Sequence, residues 1–218
     1  MLVLASASPR RHDLLAQAGY AFEVLPAEIP EDLLPNEPPI GYVLRLAREK
    51  AEAVAASPAF AALTRTSGEP HLILGADTTV VAPSGEILAK PEDDADAARM
   101  LRLLSGATHR VITGVALLAP VPSSPITEVA AEVTWVTMLT PTEEDLARYI
   151  ATREPRGKAG AYAIQGQAAR WIPRIHGCYF NVVGLPLALV ACMIEGVESR
   201  LRAAKELSPQ TPAARSTA

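Results

Sequence analysis

The order of segments at the N-terminus constrains the fold most. A short apolar run, Leu2-Val3-Leu4, is followed by Ala5-Ser6-Ala7-Ser8-Pro9-Arg10-Arg11 and then by a pattern that stops at Ala18-Gly19. A strand, a tight turn and a helix satisfy that order. Ser8 is a good N-cap, Pro9 suits the first helical position, and Gly19 suits the position just past the end. Arg10 and Arg11 break the local rule, because a cation in the first turn opposes the helix dipole by about 0.3–1 kcal/mol. Two in succession point to a function: free N–H groups, the dipole and two guanidinia converge on one anion, and the guanidinium fork fits phosphate oxygens bidentately. A solvated basic turn is the plainer alternative. On the anion reading, removing either arginine leaves the unliganded protein as stable as before, or slightly more so.

The rest of the chain is that of an ordinary globular protein. Its 218 residues suit one large domain or two small lobes, and 49% hydrophobic with 20% charged residues provide a sizeable core. A net charge of −4 beside a local Arg pair argues against a nucleic-acid footprint and for a compact anionic ligand. Cys178 and Cys192 lack CxxC spacing and read as reduced, buried thiols of a reducing cytoplasm. The longest uncharged apolar run, Val182 to Ile194, is interrupted by Gly184 and Pro186 and falls short of the ~20 residues a membrane span needs. Met1-Leu2-Val3 has no basic n-region, so no signal peptide is expected.

After the first strand–helix unit, Phe22 to Leu25 reads as a second strand, and Pro26 to Pro39 as a polar, proline-rich loop carrying Glu28, Glu31, Asp32 and Glu37. Spacing alone does not say which carboxylate matters. Ile40 to Ala56 is helical by period: Val43, Leu44, Ala47, Ala51 and Val54 form one stripe, with Arg45, Arg48, Glu49 and Glu52 opposite. Lys50 falls inside the apolar stripe. Either it snorkels at the stripe edge, or it aims an ammonium inward at a buried anion. Residues 57–70, rich in Ala, Ser, Thr and Pro, read as a surface connection.

His71 to Val81 reads as two buried-strand runs with Gly75-Ala76-Asp77-Thr78 between them. An Asp in so apolar a run is expensive unless it is paired or metal-bound. A structural Asp at a strand kink is the alternative. Pro83 to Glu86 makes a turn and Ile87-Leu88 leads to Lys90-Pro91. Asp93 to Leu104 is a second amphipathic helix, and Arg110–Leu118 and Thr127–Thr137 are long strands joined by a Pro-rich turn. Thr142 opens a helix with an acidic first turn, running to about Ala151. Gly157 to Gly166 is small and Gly-rich with one polar side chain, Gln165, between Ile164 and Gly166, and it lacks the Walker order GxxxxGK[ST]. Asn181 to Leu187 reads as a strand end entering a final helix to about Val197. The tail from Lys205 reads as disordered, leaving a 1–204 domain.

No GxSxG elbow and no GxGxxG after a strand occur, and His12, His71, His109 and His176 show no metal-ligand spacing. What stands out is a set of cations, Arg10, Arg11, Lys50 and Lys90, with carboxylates at Glu31 and Asp77. That inventory suits a polyphosphate with a divalent metal: cations neutralise phosphate oxygens, and carboxylates hold the metal or orient a water.

Those residues fall in motifs that resemble the Maf-like proteins. Ser6-Ala7-Ser8-Pro9-Arg10-Arg11, Arg45 to Ala51, Gly75-Ala76-Asp77-Thr78, Lys90-Pro91, Ser105 to His109, Gly157 to Gly166 and Asn181 to Pro186 occur in that family's order, from Leu2 to about Glu195. The resemblance implies an inosine-triphosphatase-like α/β fold: a long mixed sheet flanked by helices, with a deep cleft between two lobes. It implies a nucleoside triphosphate pyrophosphatase that uses a divalent metal, Mg or Mn, and admits a homodimer; the cysteine usage and the missing n-region point to the cytoplasm. Asp77 resembles the general base and Glu31 a metal or water ligand, with both as metal ligands. Arg10, Arg11, Lys50 and Lys90 resemble a phosphate clamp, and Ser8 joins them at the substrate. Arg10, Thr78 and Gln165 match positions that sort subfamilies by base. Relatives acting on 7-methyl-GTP tend to carry Trp where this chain has Arg10, and Ser-Glu in place of Ile164-Gln165; this chain looks like the dTTP and UTP branch. The alternatives are a 7-methyl-GTP pyrophosphatase and a nucleotide-binding regulator of cell division.

Overall fold

A computed structural model describes residues 1–67, 71–121 and 125–207. The first unit forms as its caps dictate: β1 (Leu2–Leu4), α1 (Pro9–Gln17) and β2 (Phe22–Val24). β1 lies parallel to β2 on one side and to β3 (Leu72–Val81) on the other. Beyond β3 the sheet turns antiparallel, through β5 (Thr108–Ala119), β6 (Ile126–Thr137) and β7 (Arg174–His176). The order is β2-β1-β3-β5-β6-β7, with the short β4 (Ile87–Leu88) against the end of β3. This is a seven-stranded mixed sheet flanked by helices, an α/β fold.

One gap in the pairing creates the site. β5 runs along one edge of β3 from Ile73 to Val81. On the other edge β1 pairs only with Leu72–Leu74, and β4 only with Val80–Val81. Residues 75–79 therefore have no strand neighbour on that side among the described residues, and Asp77 sits in the middle of the opening. A core built around Leu4, Leu15, Leu74, Val115 and Val190 lies toward one end of the sheet. A second, around Leu88, Leu101, Leu104, Val136 and Tyr149, lies toward the other.

α2 (Pro39–Ala55) crosses β3 and β5 with its backbone almost on the sheet. A Cβ on Gly75 would stand 2.0 Å from the Ala47 carbonyl oxygen, and one on Gly114 would stand 2.3 Å from that of Val43. Gly114 is the register partner of Asp77. The two glycines thus let the helix down far enough for Lys50, buried in its inner stripe, to reach the gap.

Several elements differ from the sequence reading. The segment from 57 holds a helix, α3 (Pro58–Ser67): Ser57 Oγ accepts the Phe60 N–H at 3.1 Å, and Phe60 is buried under α2. Phe60, with the half-buried Leu63 three residues on, anchors a helix in an Ala/Thr-rich stretch without a long apolar stripe. β3 is a single continuous strand, because β5 pairs through the expected break without interruption. Residues 181–183 are helical, in α6 (Tyr179–Val183), since the buried Asn181 amide donates to Val111 O at 3.0 Å and Thr134 Oγ1 at 2.9 Å.

The last helix, α7, spans Leu187–Leu207, past the expected end and into the segment read as a tail. The rest of that tail, 208–218, and residues 122–124 of the Pro-rich turn lie outside the described residues. Both cysteines are free, but neither is buried: Cys178 is half-buried and Cys192 is exposed. The remaining α-helices, α4 (Asp94–Leu104) and α5 (Glu143–Ala151), start where the sequence reading put them. Asp93 accepts from Asp96 N at 2.7 Å, and Thr142 Oγ1 from Asp145 N at 3.1 Å.

Candidate active site

A 460 Å³ cavity opens at the gap in β3, and every residue expected at the site lines it: Ser8, Arg10, Arg11, Glu31, Lys50, Asp77, Thr78, Lys90 and Gln165. Its centre is a chain of alternating charges. Lys50 Nζ donates to Asp77 Oδ1 at 2.6 Å and stands 2.6 Å from Glu31 Oε1, while Lys90 Nζ donates to Glu31 Oε2 at 2.7 Å. The inward reading of Lys50 is the one that holds. Asp77 and Lys50 are buried, whereas the Lys90 side chain is 60% exposed at the mouth. Burial alone would raise the Glu31 pKa, but hydrogen bonds from Lys50 and Lys90 and their charges hold it down at about 2. Glu31 is thus anionic at neutral pH.

Glu31 reaches this position because its loop is staked to α2. Tyr42 Oη donates to Glu31 O at 2.8 Å. Arg45 forks onto Glu37 at 2.6 and 2.7 Å and also donates to Asp32 O at 2.9 Å. Sequence reasoning placed Arg45 on the outer face and passed over Tyr42. The only signal for Arg45 was its place in the Arg45 to Ala51 motif.

The arginine pair divides its labour. Arg11 is buried, and its Nε donates to Gly184 O at 2.8 Å, one terminal nitrogen to Ser6 Oγ at 3.1 Å and the other to Thr78 Oγ1 at 3.0 Å. Burial lowers its pKa, and the Asp77 carboxylate opposes that shift. Thr78 Oγ1 also lies 2.9 Å from Thr113 Oγ1. Arg11 therefore ties the first motif, β3 and the turn after α6 together.

Arg10 is half-buried on the cavity wall with no hydrogen bond or ion pair among the described residues, and burial lowers its pKa. Beside it is Lys158, not singled out from the sequence. It lines the same wall, and its pKa is lowered by burial first and by the Arg10 charge second. Its Nζ donates to the Glu154 backbone carbonyl. The signal that could have found it is a lysine inside the Gly157 to Gly166 motif.

The expected tolerance of arginine removal is corrected accordingly. Arg11→Ala removes three hydrogen bonds from a buried site, each worth about 0.5–1.5 kcal/mol or more for a charged donor. Ser6 Oγ, Thr78 Oγ1 and Gly184 O each keep one other partner. A melting experiment without ligand should show Arg11→Ala well below wild type and Arg10→Ala level with it or slightly above. Equal melting temperatures for the two variants would contradict this division.

Ser8 occupies the N-cap position of α1, but its side chain makes no capping bond. The Gln165 side chain is exposed within the cavity and makes no hydrogen bond among the described residues. Asp77 and Glu31 balance Lys50 and Lys90, so Arg10, Arg11 and Lys158 leave the cavity with excess positive charge. Such a cavity favours a multiply charged anion.

The fold and this site define a Maf-like protein. The profile of the Maf-like protein family matches residues 1–197, and the chain belongs to that family. A protein of Koribacter versatilis (strain Ellin345) named dTTP/UTP pyrophosphatase is 50% identical over 194 residues, covering 88% of this chain and 92% of its own. One of the same name from Geobacter sulfurreducens is 50% identical over 189 residues, covering 87% and 92%. Another, from Anaeromyxobacter dehalogenans (strain 2CP-1 / ATCC BAA-258), is 45% identical over 193 residues, covering 88% and 92%. Among the described residues no helix is long and apolar enough to cross a membrane.

Proposed function

We propose that this chain is a nucleoside triphosphate pyrophosphatase of the cytoplasm that hydrolyses dTTP and UTP to the monophosphate and pyrophosphate. The observation that carries the reading is the Asp77–Lys50–Glu31–Lys90 charge chain, set in a cavity with surplus cations. A protein that only bound triphosphate would need no base, and the buried Asp77 carboxylate facing the cavity supplies one. Water adds across the anhydride between the α and β phosphates. Asp77 takes the water proton, Lys50 holds Asp77 and Glu31 in register, and Arg10, Lys90 and Lys158 neutralise phosphate oxygens. Arg11 supplies charge from behind while fixing Thr78.

A divalent cation of the Mg²⁺ or Mn²⁺ type fits the donor set. Asp77 and Glu31 offer hard carboxylate oxygens, and no group of three His, Cys, Asp or Glu side chains suited to a metal occurs among the described residues. Mg²⁺ is commonly held by one or two carboxylates plus substrate phosphates rather than by an all-protein cage. When bound it would polarise phosphate oxygens. Neither nucleic acid nor membrane enters this reading, and it admits a homodimer.

Gln165 favours the pyrimidine branch over a 7-methyl-GTP pyrophosphatase. An amide offers a donor and an acceptor, which pair with a pyrimidine carbonyl and ring N–H, whereas a carboxylate only accepts. Pyrophosphate release over a nucleotide panel tests both the reaction and the base. dTTP and UTP should exceed CTP, and all should exceed 7-methyl-GTP, by roughly one to two orders of magnitude in kcat/KM per mismatched group. Gln165→Glu should narrow the gap. Equal or better hydrolysis of 7-methyl-GTP would overturn the base assignment, and absence of pyrophosphate release would overturn the enzyme.

A further inference from the structure

We propose that Glu154 and Tyr149 are the positioning pair that fixes Gln165 as the base-selecting side chain. The inference rests on the reading above that Gln165 faces the base.

Gln165 makes no hydrogen bond of its own among the described residues, so its backbone sets its place. That backbone is a turn closed by Gly166 N donating to Ala163 O at 3.1 Å. Both flanks of the turn run to one polar hub. On one flank, Ala163 N donates to Tyr149 Oη at 3.3 Å. On the other, Gln167 N donates to both Glu154 carboxylate oxygens, at 3.0 and 3.2 Å. Tyr149 Oη in turn donates to Glu154 Oε1 at 3.0 Å, closing the hub. The carboxylate also fills the space beneath the turn: a Cβ on Gly166 would lie 2.0 Å from Glu154 Oε1.

The hub is itself held firmly. Tyr149 is fully buried and meets Trp171 edge-on, ring centroids 5.2 Å apart. Glu154 follows α5 through Arg153, whose φ of 61° turns the chain back, and its N–H donates to Thr152 Oγ1 at 3.2 Å. A side chain that reads a base by hydrogen bonds must be held to within about 0.5 Å by its supporting shell. Here that shell is one carboxylate and one phenol.

The test compares Glu154→Gln, Tyr149→Phe, Gln165→Ala and the double variant Glu154→Gln/Gln165→Ala in the full chain, as kcat/KM for UTP and CTP with melting temperatures. Gln165→Ala should erase the UTP preference. Glu154→Gln and Tyr149→Phe should each reduce it about tenfold, mainly through a higher KM for UTP. The double variant should discriminate no worse than Gln165→Ala alone, because both act through one side chain. The proposal is overturned if the UTP/CTP ratio survives in both hub variants, or if the loss is uniform over nucleotides and tracks the melting temperature. It is also overturned if the double variant discriminates less than Gln165→Ala. Should Gln165→Ala itself keep the preference, the base assignment fails and this inference with it; a preference lost in Gln165→Ala but kept in the hub variants sinks this inference alone.

Discussion

Asp77→Asn is expected to lower turnover of UTP by about 10²–10⁴-fold while KM stays near the wild-type value. The geometry makes this a clean substitution. Asn keeps the side chain's shape, and its carbonyl oxygen can still accept from Lys50 Nζ, now 2.6 Å from Asp77 Oδ1. Breaking a buried ion pair usually costs about 3–5 kcal/mol because one charge is left alone. Here Lys50 retains Glu31 Oε1 at 2.6 Å, so the ammonium keeps a counter-charge. What disappears is the group able to take a proton from water, while the amide oxygen still offers the metal a ligand. Steady-state pyrophosphate release, with triphosphate affinity measured separately, checks the split. An Asn variant with most of its turnover intact would remove Asp77 from the role of base.

Asp77 and Lys50 were legible for the same physical reason. Each puts a charge where an apolar pattern predicts none, and a buried charge requires a partner. Neither reading could say that the partners were each other, because the pairing spans 27 residues of sequence and depends on α2 sinking onto the sheet. Glu31 was not legible by pattern: four carboxylates share its loop, and only the family resemblance singled it out. Its position follows from Tyr42 and Arg45, whose hydrogen bonds go to backbone carbonyls that carry no sequence signature.

Arg11 shows the limit from the other side. In sequence it is a cation opposing a helix dipole. In the fold its guanidinium is buried as a cross-brace to the carbonyl of Gly184, 173 residues away, while it also lines the cavity. The continuity of β3 was hidden similarly, since the ladder with β5 overrides a local Gly-Ala-Asp-Thr break. Lys158 and Glu154 sit in and beside a loop motif that has no apolar periodicity for a charge to interrupt.

Gly75→Ala should damage both the fold and the chemistry, for one steric reason. The added Cβ would fall 2.0 Å from the Ala47 carbonyl oxygen and 3.1 Å from Ala51 N, both backbone atoms of α2, so no side chain can swing aside to relieve it. The helix must rise from β3. Overpacking of this kind costs about 1–3 kcal/mol or more, and for a domain of this size each kcal/mol lowers the melting temperature by about 2–4 °C. Lys50 lies on the lifted turn and carries the contacts to Asp77 and Glu31, and a misplacement of about 1 Å can reduce turnover ~10²-fold. Gly41→Ala is the matched control. It lies in the first turn of the same helix, where the nearest atom to an added Cβ is Pro38 Cγ at 3.3 Å. Alanine there gains up to about 1 kcal/mol in helix propensity, so stability and turnover should stay near wild type. If Gly75→Ala melted and turned over like the control, α2 would not be seated on β3 by this contact. If it melted early yet kept its turnover, Lys50 would owe its place at Asp77 to something other than the helix that carries it.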